Sequence, residues 1–426
     1  MNRIMYLVNS FPEAAEQYVW AEIAELRRRG RTVIPCSFRR PKHIPTQAEE
    51  FASETFYVFP LRMYGALRAC WMCISQMAQI ADLLWRVIRG PEPVRQRVRG
   101  LAHTWLGVYL AAALREESIN HIHIHHGYFS SWAGMTAARL LDASFSLTLH
   151  GSDLLVRADY LDCKLENCQF CVTVSEFNRD YICRHYPAVS PGKILVHRLG
   201  VDLEFWRPLP KEDDDRNFRV LAVGRLHAIK NHEFLIHACL ELKNAGLLFR
   251  CIIAGEGEER KRLQTLVRQL GLWDHVELPG HVARERLPQI YSQADVVVIT
   301  SNSEGIPQAL MEAMAMERLV LAPVITGIPE LITDASTGFL YQQHSMPEFL
   351  QKLVYIAATK YSLNHLRHNA RRQIDSRFNR QRNLNTWADD FIQQLETLAS
   401  EQESSHAHPV LQQVQLPVQR NRSLPF

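Results

Sequence analysis

The sequence predicts an α/β protein made of two doubly wound, parallel-sheet, Rossmann-like domains that face a central cleft. Short apolar runs alternate with helical patterns, and the alternation restarts after a polar stretch near residue 209. The length of 426 residues also favours two domains, since a domain commonly has about 100–200 residues. Ligands of such sheets bind at the carboxyl ends of the strands, so the cleft is the expected site.

The first block, residues 1–208, is predicted to form the N-terminal domain. A strand at Met5–Val8 is followed by the helix Tyr18–Arg29, which ends at Gly30. Further strands are predicted at Thr32–Cys36, His121–His125, Phe145–Leu149, Cys171–Val174 and Ile194–His197. Residues 209–217 contain a proline and an acidic cluster, so a linker is expected there.

The second block, residues 218–378, is predicted to form the C-terminal domain. Its strands are predicted at Val220–Val223, Phe249–Ala254, His275–Leu278, Val296–Thr300 and Leu319–Ala322. A helical pattern follows each strand, as at Asn231–Leu242. The last helix, 379–399, is expected to cross back to the N-terminal domain, and the polar tail 400–426 is expected to be disordered.

The composition excludes several classes of protein. Hydrophobic residues make up 47% and charged residues 22%, which is typical of a globular enzyme and not of a disordered chain. The formal charge is only +3, so no nucleic-acid partner is predicted. Nine cysteines without regular spacing predict neither a secreted disulfide framework nor a zinc site. The N-terminus lacks the long apolar core of a signal peptide, so a cytoplasmic protein is expected.

The stretch Leu61–Gly100 has an unusual composition. It is rich in apolar residues and contains seven arginines, which are Arg62, Arg68, Arg86, Arg89, Arg95, Arg97 and Arg99, against the two acids Asp82 and Glu92. Charges interrupt the apolar run, so amphipathic helices are predicted and not a membrane span. Two interpretations remain open: a surface that contacts an anionic membrane, or helices that pack on their own domain and expose a solvated basic face.

Two segments of the C-terminal block have the composition of a ligand site. In AVGRLHAIKN, Arg225 and Lys230 lie where a strand meets a helix N-terminus, an arrangement that suits a diphosphate. In SEGIPQALMEAMA, Glu304 and Glu312 flank the start of a helix, where carboxylates and free amides can hold sugar hydroxyls. Taken alone, each of these four residues is better explained as a solvated surface charge, and only the combined pattern favours a ligand site.

Two other patterns are weaker. Gly255 and Gly257 resemble half of a dinucleotide fingerprint, but Arg260 occupies the third glycine position and the glutamates of the turn would repel a pyrophosphate, so no nicotinamide or flavin is predicted. His121, His123 and His125 share one face of a strand and could bind a metal ion. No accompanying carboxylate or cysteine is evident, so they are expected to line the cleft floor with ordinary hydrogen bonds.

Taken together in order, these motifs resemble the retaining glycosyltransferases of family 4, which have the GT-B fold. The Glu-x7-Glu spacing of Glu304 and Glu312, GRL…K, IIAGEGEER and TGIPELI carry the resemblance, which runs from about Arg3 to about Phe391. The first loop, with Phe11, Pro12 and Glu16, and the segments HIHIHHGY and LHGSD narrow it to the colanic-acid-type exopolysaccharide subgroup.

The resemblance implies roles for individual residues. Arg225 and Lys230 would bind the donor diphosphate and stabilise the leaving group, and Glu312 would hold the ribose. Glu304 would hold the donor sugar, and His150 would reach that sugar across the cleft. The remaining donor-site residues that it implies are Gly224, Gly280, His281, Val282, Gly305, Ile306 and Pro307, of which Gly280, His281 and Val282 would lie near the base.

The implied function is transfer of a sugar from a nucleoside-diphosphate sugar to a saccharide or polyprenyl-diphosphate-linked oligosaccharide acceptor. Glu16 would lie near the reacting centre or the acceptor. No metal ion and no cofactor are expected, because arginine, lysine and helix amides take the part of a metal in this fold. The resemblance places the protein in the cytoplasm, at the inner face of the cytoplasmic membrane. Two alternatives are a GT-B-fold sugar-nucleotide epimerase and a catalytically silent scaffold subunit of a polysaccharide assembly complex.

Overall fold

The computed structural model describes residues 3–13, 16–210 and 217–407. The described chain forms two parallel sheets, one of seven strands and one of six, each with helices on both faces. Two Rossmann-like domains of the GT-B type are therefore confirmed. None of the helices in the described part of the chain combines the length and the apolar character that crossing a bilayer requires.

The sheet of the first domain has the strand order β3-β2-β1-β4-β5-β6-β7. The strands are β1 (Arg3–Ser10), β2 (Thr32–Arg39), β3 (Phe56–Tyr57), β4 (His121–His125), β5 (Ser144–Leu149), β6 (Cys171–Thr173) and β7 (Ile194–Val196). All neighbouring pairs are parallel. The order reverses at β1, whose Ile4 aligns with Val33 on one side and His121 on the other. Such a switch point leaves a crevice at the carboxyl ends of the strands.

Nine helices of the described residues belong to the first domain. They are α1 (Gln17–Arg28), α2 (Glu49–Glu54), α3 (Met63–Ser75), α4 (Met77–Arg89), α5 (Val94–Leu114), α6 (Phe129–Leu140), α7 (Ser152–Leu155), α8 (Leu161–Asn167) and α9 (Glu176–His185). Helices α3, α4, α5 and α6 cover one face of the sheet, where Trp132 and Leu110 are buried in the core. Helix α1 covers the other face, with Val19 and Ile23 packed on β1.

The second domain repeats this plan with the order β10-β9-β8-β11-β12-β13. Its strands are β8 (Phe218–Val223), β9 (Phe249–Ala254), β10 (Val276–Gly280), β11 (Val296–Val298), β12 (Leu319–Pro323) and β13 (Phe339–Tyr341). Its helices are α10 (His232–Asn244), α11 (Arg260–Gln269), α12 (Leu287–Gln293), α13 (Gln308–Ala315), α14 (Ile328–Leu331), α15 (Met346–Thr359) and α16 (Asn364–Arg377). Apolar clusters fill both faces of this sheet.

The chain enters the second domain earlier than the predicted boundary at residue 208. Val201 forms a bridge with Asn379, and Trp206 is fully buried against Tyr291 in the core of the second domain. The stretch around Trp206 is polar on average and contains prolines. Its composition therefore gives no sign that Trp206 packs in the core of the second domain. Most of the predicted linker 209–217 lies outside the described residues.

The last helix, α17 (Arg380–Ala407), packs on the first domain. Its side chains Trp387, Phe391 and Leu395 are buried beside β1 and α1. The helix continues past the predicted end at residue 399, so residues 400–407 are helical and do not belong to a disordered tail. No proline or glycine occurs from residue 400 until Pro409, so the sequence contains nothing to stop the helix earlier. Residues 408–426 lie outside the described residues.

Candidate active site

A cavity of about 890 Å³ lies between the two domains, at the carboxyl ends of both sets of strands. Tyr18, Glu22 and Thr148 line it from the first domain. Its wall in the second domain includes five of the predicted donor-site residues, which are Gly224, Arg225, His281, Val282 and Glu312. The volume is in the range of small-molecule sites, so the cleft can enclose a ligand of nucleotide-sugar size.

The predicted cation Lys230 and the predicted carboxylate Glu304 form a direct ion pair. Lys230 Nζ donates to Glu304 Oε1 at 2.6 Å, and the hydroxyl of Ser301 donates to the same oxygen at 2.5 Å. The Thr300 hydroxyl also donates to the carbonyl oxygens of Lys230 and Asn231. Residues from the ends of β8 and β11 are therefore joined at one point, because these two strands are neighbours in the sheet.

Arg225 is exposed at the cavity wall, directly after β8 and Gly224. The turn that follows β9 packs against this segment so closely that it requires glycine. A methyl group on Gly255 would lie 1.8 Å from the carbonyl oxygen of Gly224, and one on Gly257 would lie 2.2 Å from that of Leu226. This packing accounts for the Gly-x-Gly pattern without a bound dinucleotide.

Glu312, on α13, is held by an unforeseen partner. The hydroxyl of Tyr291, from α12, donates to Glu312 Oε2 at 2.8 Å. Burial raises the pKa of Glu312 to about 7, and the Tyr291 hydrogen bond and the charge of Arg284 oppose that rise only in part. A carboxylate that faces a cavity and titrates near neutral pH is typical of a functional site.

The backbone beside Glu304 touches the other domain. A methyl group on Gly305 would lie 2.5 Å from the carbonyl oxygen of His150, and one on Gly327 would lie 2.6 Å from the carbonyl oxygen of Gly305. The predicted donor loop and the predicted His150 loop are therefore in contact across the cleft, and Gly305 has no room for a side chain. Ile306 is buried beneath this contact, and Pro307 directly precedes α13.

Glu330 of α14 forms a second contact between the two domains. Its two carboxylate oxygens accept from the backbone N–H groups of Glu176 and Phe177, at the start of α9, at 3.1 and 2.8 Å. Arg198 of the first domain donates to the same carboxylate at 3.1 Å. A negative charge at a helix N-terminus is favourable, so this carboxylate helps to fix the relative position of the domains.

In the first domain, Glu16 contacts a histidine that the sequence analysis did not single out. His126 Nε2 lies 3.0 Å from Glu16 Oε1, and His126 Nδ1 lies 3.7 Å from Asp153 Oδ2, which is ion-pair distance and too long for a hydrogen bond. Burial alone would lower the pKa of His126, but the two carboxylates outweigh it and raise the pKa to about 10. His126 is therefore an imidazolium at neutral pH.

Asp153 organises the loop around this imidazolium. Its carboxylate accepts from the backbone N–H groups of Gly127, His150 and Gly151 at 2.8–3.0 Å. Burial opposes its ionisation, but His126 above all, together with the Gly151 N–H group, holds the pKa of Asp153 well below its usual range. The aspartate of LHGSD therefore shapes the loop that presents His150.

His150 differs from His126 in its charge. Burial, followed by repulsion from His126 and His125, lowers the pKa of His150 well below the ordinary histidine value, and Asp153 opposes this only weakly. Its ring lies 4.8 Å from that of Tyr18 at the cavity wall, measured between centroids. A neutral imidazole at this position can exchange hydrogen bonds with a hydroxyl without placing a charge beside it.

The alternating histidines of β4 lie beneath the cleft and have protein partners. His123 contacts the hydroxyls of Ser146 and Thr148 at 2.8 and 3.0 Å, and His121 contacts two serine hydroxyls at 2.7 Å. Burial lowers the pKa of His121 to about 3. These ordinary hydrogen bonds are the ones that the sequence analysis expected.

A carboxylate, that of Glu22, does lie beside the β4 histidines, although none was evident from the sequence. Glu22 Oε2 lies 3.0 Å from His125 Nε2, and together with His123 these residues form the set whose geometry could hold a metal ion. The Glu22 carboxylate already accepts from the hydroxyl of Tyr6, and His123 is occupied by hydroxyls. The donor set is therefore hydrogen-bonded within the protein, and it fits a buried polar network better than a metal centre.

The three residues expected beside the base lie at the end of β10, whose last residue is Gly280. Gly280 has a left-handed backbone (φ +91°), and a methyl group there would lie 2.6 Å from Glu256 Oε1. His281 and Val282 come next and line the cavity. The structure thus places the predicted donor residues along one continuous edge of the second sheet, with Glu16 and His150 on the opposite domain.

Two family models match the chain. The model described as Glycosyltransferase Family 4 matches residues 15–205, and that described as Glycosyl transferases group 1 matches residues 204–373. The point where they meet agrees with the entry of the chain into the second domain near Val201.

Curated relatives match over part of their length. The chain is 36% identical over 167 residues to the putative colanic acid biosynthesis glycosyltransferase WcaL of Escherichia coli, which is 38% of this chain and 41% of that protein. It is 30% identical over 232 residues to the amylovoran biosynthesis glycosyltransferase AmsK of Erwinia amylovora, which is 51% of this chain and 56% of that protein. The chain thus spans about half the length of these relatives.

Solved structures share the fold over nearly the whole chain. HepE of Anabaena, solved in complex with UDP, has a TM-score of 0.69 at 17% identity, over 92% of this chain and 100% of that one. A sucrose-phosphate synthase of Thermosynechococcus elongatus has a TM-score of 0.72 at 18% identity, over 93% of this chain and 100% of that one. At these identities the likeness shows the fold alone.

Proposed function

The chain belongs to the family 4 glycosyltransferases of the GT-B fold, and from this premise we propose that it is a retaining hexosyltransferase of exopolysaccharide or other cell-surface polysaccharide biosynthesis. It moves a sugar from a nucleoside-diphosphate sugar to a hydroxyl of a saccharide acceptor. The observation that carries the proposal is the interdomain cavity. Its second-domain wall bears Arg225 and Glu312, and Glu304, which is paired with Lys230, belongs to the loop that meets His150.

The second domain binds the donor. Arg225 and Lys230 neutralise the diphosphate, and the Glu312 carboxylate accepts hydrogen bonds from the ribose hydroxyls. The base lies against His281 and Val282. Lys230 is paired with Glu304 in the structure, so a bound diphosphate would recruit a cation that is already positioned and leave the carboxylate free to accept from hydroxyls of the sugar.

The reaction is a same-face displacement. The acceptor oxygen bonds to the anomeric carbon while the bond from that carbon to the diphosphate oxygen breaks, and the acceptor proton moves to the departing phosphate oxygen. Arg225 and Lys230 stabilise the negative charge that develops on the leaving group. His150, which is neutral, contacts the transferred sugar from the opposite domain. Glu16, held by the His126 imidazolium, faces the reacting centre or the acceptor.

This chemistry needs no divalent ion and no cofactor. Two cations of the protein and the backbone N–H groups of Gly305 and Ile306 supply the positive charge that a metal supplies elsewhere. The polar cluster of Glu22 and the β4 histidines is not assigned a part in the reaction, since its donor and acceptor groups are satisfied internally.

The acceptor we propose is a polyprenyl-diphosphate-linked oligosaccharide at the inner face of the cytoplasmic membrane. Two observations support it: the similarity to colanic acid and amylovoran biosynthesis glycosyltransferases, and the concentration of apolar and basic side chains on α3, α4 and α5. The enzyme is then a peripheral membrane protein, with its cleft open to both the lipid-linked acceptor and the dissolved donor.

The direct test begins with donor binding. We expect nucleoside diphosphates and their sugars to raise the melting temperature, since a ligand that binds only the native state stabilises it by mass action. Lys230→Ala and Glu312→Ala are each expected to abolish transfer to a saccharide acceptor while leaving the fold intact. Lys261→Ala, an exposed lysine on α11, is the matched control. Wild-type turnover in either site variant would refute the assignment, and product formation from sugar nucleotide alone would indicate an epimerase.

A further inference from the structure

Exposed large apolar side chains are concentrated on one side of the first domain. They come from α3, α4 and the first turns of α5, and together they form what we call the α3–α5 surface: Met63, Tyr64, Leu67, Trp71, Ile74, Trp85, Ile88, Val94, Val98 and Leu101. Trp71 is 73% exposed and Ile74 is 72% exposed. A cluster of this kind on a water-soluble domain marks an interaction site.

Helix α3 shows that packing within the domain does not account for this surface. Its Ala69 and Met72 are buried in the domain core, as one face of an amphipathic helix should be. The opposite side of the same helix, with Leu67, Trp71 and Ile74, is apolar as well and faces outward. A helix needs one apolar face to pack on its domain, so the second apolar face requires another partner.

The charges around the surface identify that partner. No acidic residue occurs from Thr55 to Ala81. The two acids farther along are neutralised, because Asp82 is paired with Arg139 and Glu92 with Arg86. Five arginines of the region form no ion pair with the residues that the structure describes, and these are Arg62, Arg89, Arg95, Arg97 and Arg99. The surface is therefore apolar with a positive rim.

We infer that the α3–α5 surface docks on an anionic lipid bilayer. The apolar side chains enter the boundary between headgroups and acyl chains, where tryptophan is favoured, and the arginines meet the anionic headgroups. The inference deepens the proposed function and rests on it for the lipid-linked acceptor. A second copy of the chain fits less well, since a two-fold interface would set one positive rim against the other.

The placement of the surface suits delivery of a lipid-linked acceptor. Strand β3 leads into α3, and its Tyr57 hydroxyl donates to the carbonyl oxygen of Phe11, in the loop that carries Glu16, at 3.1 Å. On the other side, the His103 ring of α5 lies 5.1 Å from that of Phe129, which follows the His126 loop. Docking would therefore bring the acceptor side of the cleft to the membrane.

The structure also selects which arginines matter. Arg86 is held between Glu92 and Asp162, and Arg97 donates to the carbonyl oxygen of Ile88 at 2.9 Å, so both are engaged within the domain. Arg95 and Arg99 are exposed on the outer side of α5. Only some of the arginines of Leu61–Gly100 are therefore free to contact lipid headgroups.

The first experiment is flotation of the full chain with vesicles of phosphatidylglycerol mixed with phosphatidylcholine, compared with phosphatidylcholine alone. We expect binding only to the anionic vesicles, weakened by salt. In Trp71→Ser/Ile74→Ser the partition coefficient should fall about tenfold or more, because two deeply inserted side chains are lost. The matched control is Trp273→Ser/Leu248→Ser, which changes two equally exposed side chains, 70% and 69%, on the second domain.

The second experiment separates charge from apolar contact. Arg95→Glu/Arg99→Glu should lower anionic-vesicle binding about fivefold or more for each residue changed, since each basic side chain near the surface contributes roughly that much. Arg250→Glu/Arg268→Glu, which changes two exposed arginines of the second domain, should leave binding unchanged. Circular dichroism on all variants establishes that they are folded.

Equal vesicle binding by the wild type and by the Trp71 variant would overturn the inference, as would absence of binding to anionic vesicles. Concentration-dependent dimers that the same variant abolishes would assign the surface to a second copy. Thermal shift by nucleoside diphosphates, measured without lipid, distinguishes the two proposals. Vesicle binding without any nucleotide effect would refute sugar transfer from a nucleotide donor and leave the docking surface standing. A nucleotide effect without vesicle binding would refute the docking surface and the membrane location of the acceptor, and leave donor binding standing.

Discussion

Glu16 and His126 form an ion pair whose atoms Oε1 and Nε2 are 3.0 Å apart, although the two residues are 110 positions apart in the chain. The second nitrogen of the imidazolium faces the buried carboxylate of Asp153. One cation therefore holds together the first loop and the loop that carries His150. The pair fixes Glu16 beside the loop that carries His150, and its strength depends on the proton of His126.

We predict that this pair makes stability depend on pH above neutrality. The folded chain raises the pKa of His126 to about 10, from an ordinary value of about 6.5. The contribution of protonated His126 to the free energy of unfolding is therefore complete below about pH 6.5 and is lost as the pH rises through about 10. In His126→Asn the denaturant midpoint should change less between these pH values than in the wild type. Asparagine is chosen because it tolerates the left-handed backbone at this position (φ +70°). His43→Asn, an exposed histidine, is the control, and an unchanged profile in His126→Asn would contradict the pairing.

Glu312 should produce a dependence of the same sign in a lower pH range, since its pKa is also raised on folding. Because its pKa rises from 4.5 to about 7 on folding, the folded chain keeps a proton that the unfolded chain has released. The contribution of this residue to stability therefore falls as the pH increases from about 4.5 to about 7. Glu312→Gln should remove that slope, which chemical denaturation at several pH values measures.

Donor affinity should follow the ionised form of the same carboxylate. Ribose hydroxyls donate better to a carboxylate than to a neutral acid, so affinity should rise through about pH 7 in the wild type. The diphosphate also titrates near this range, so the informative quantity is the difference between wild type and Glu312→Gln in calorimetric titrations. A difference that is constant from pH 6 to pH 8 would exclude Glu312 from the ribose site.

The fold could be predicted because its evidence is local in the sequence. Apolar runs such as Phe249–Ala254 are strands bounded by glycine turns, and the alternation of strands with helices fixes a parallel sheet. The boundary between the domains was predicted at residue 208, although the chain already packs on the second domain at Trp206. It was missed because one buried tryptophan hardly changes the average polarity of a linker. Helix α3 was ambiguous for a related reason: both of its faces are apolar, and periodicity cannot tell which one is covered.

The sequence yields candidate site residues only where they belong to short motifs. Lys230, Glu304 and Gly305 were found through such motifs and resemblance, and the structure brings them together with His150. His126 and Tyr291 were missed because their partners lie far away in the sequence, and no spacing connects them. The HHGY segment offered one signal, a histidine directly before a glycine at the end of a buried strand.

Gly305→Ala tests the contact between the domains at the donor loop. The added methyl group would lie 2.5 Å from the carbonyl oxygen of His150, so the two loops must separate. We expect kcat/KM to fall by about 100-fold, the usual effect of a displacement of about 1 Å at reacting groups. Gly192→Ala is the control, since its nearest neighbour is a serine oxygen at 3.8 Å. Normal turnover in Gly305→Ala would mean that the loops need not touch during catalysis.

Transfer should persist when divalent ions are removed. In the proposed mechanism the cations Arg225 and Lys230 supply the positive charge for the leaving diphosphate. Activity in EDTA should therefore equal activity in Mg²⁺ within about twofold, since a required metal would contribute several kcal/mol of transition-state stabilisation. The measurement compares initial rates of sugar transfer after dialysis against EDTA. Loss of activity that Mg²⁺ or Mn²⁺ restores would overturn this prediction and would direct attention to Glu22, His123 and His125.

Glu330 should control the coupling between the domains. Its carboxylate accepts from two backbone N–H groups of α9 and from Arg198, all in the first domain, although Glu330 belongs to the second. Glu330→Gln keeps the size of the side chain but removes the negative charge, which interacts favourably with the N-terminus of α9 and with the Arg198 guanidinium. We expect the cleft to open more readily, which small-angle scattering would record as a larger radius of gyration, with kcat/KM about tenfold lower.

Glu348 offers a matched comparison for that variant. Its carboxylate also accepts from a backbone N–H group, that of Gln342 at 2.8 Å, but both residues lie in the second domain. Glu348→Gln should therefore cost a similar local interaction, about 1–2 kcal/mol, without changing the radius of gyration or the turnover. Equal effects of the two substitutions on scattering and on kcat/KM would show that Glu330 acts through the stability of its own domain. An effect confined to Glu330→Gln follows only if this carboxylate holds the two domains together across the cleft.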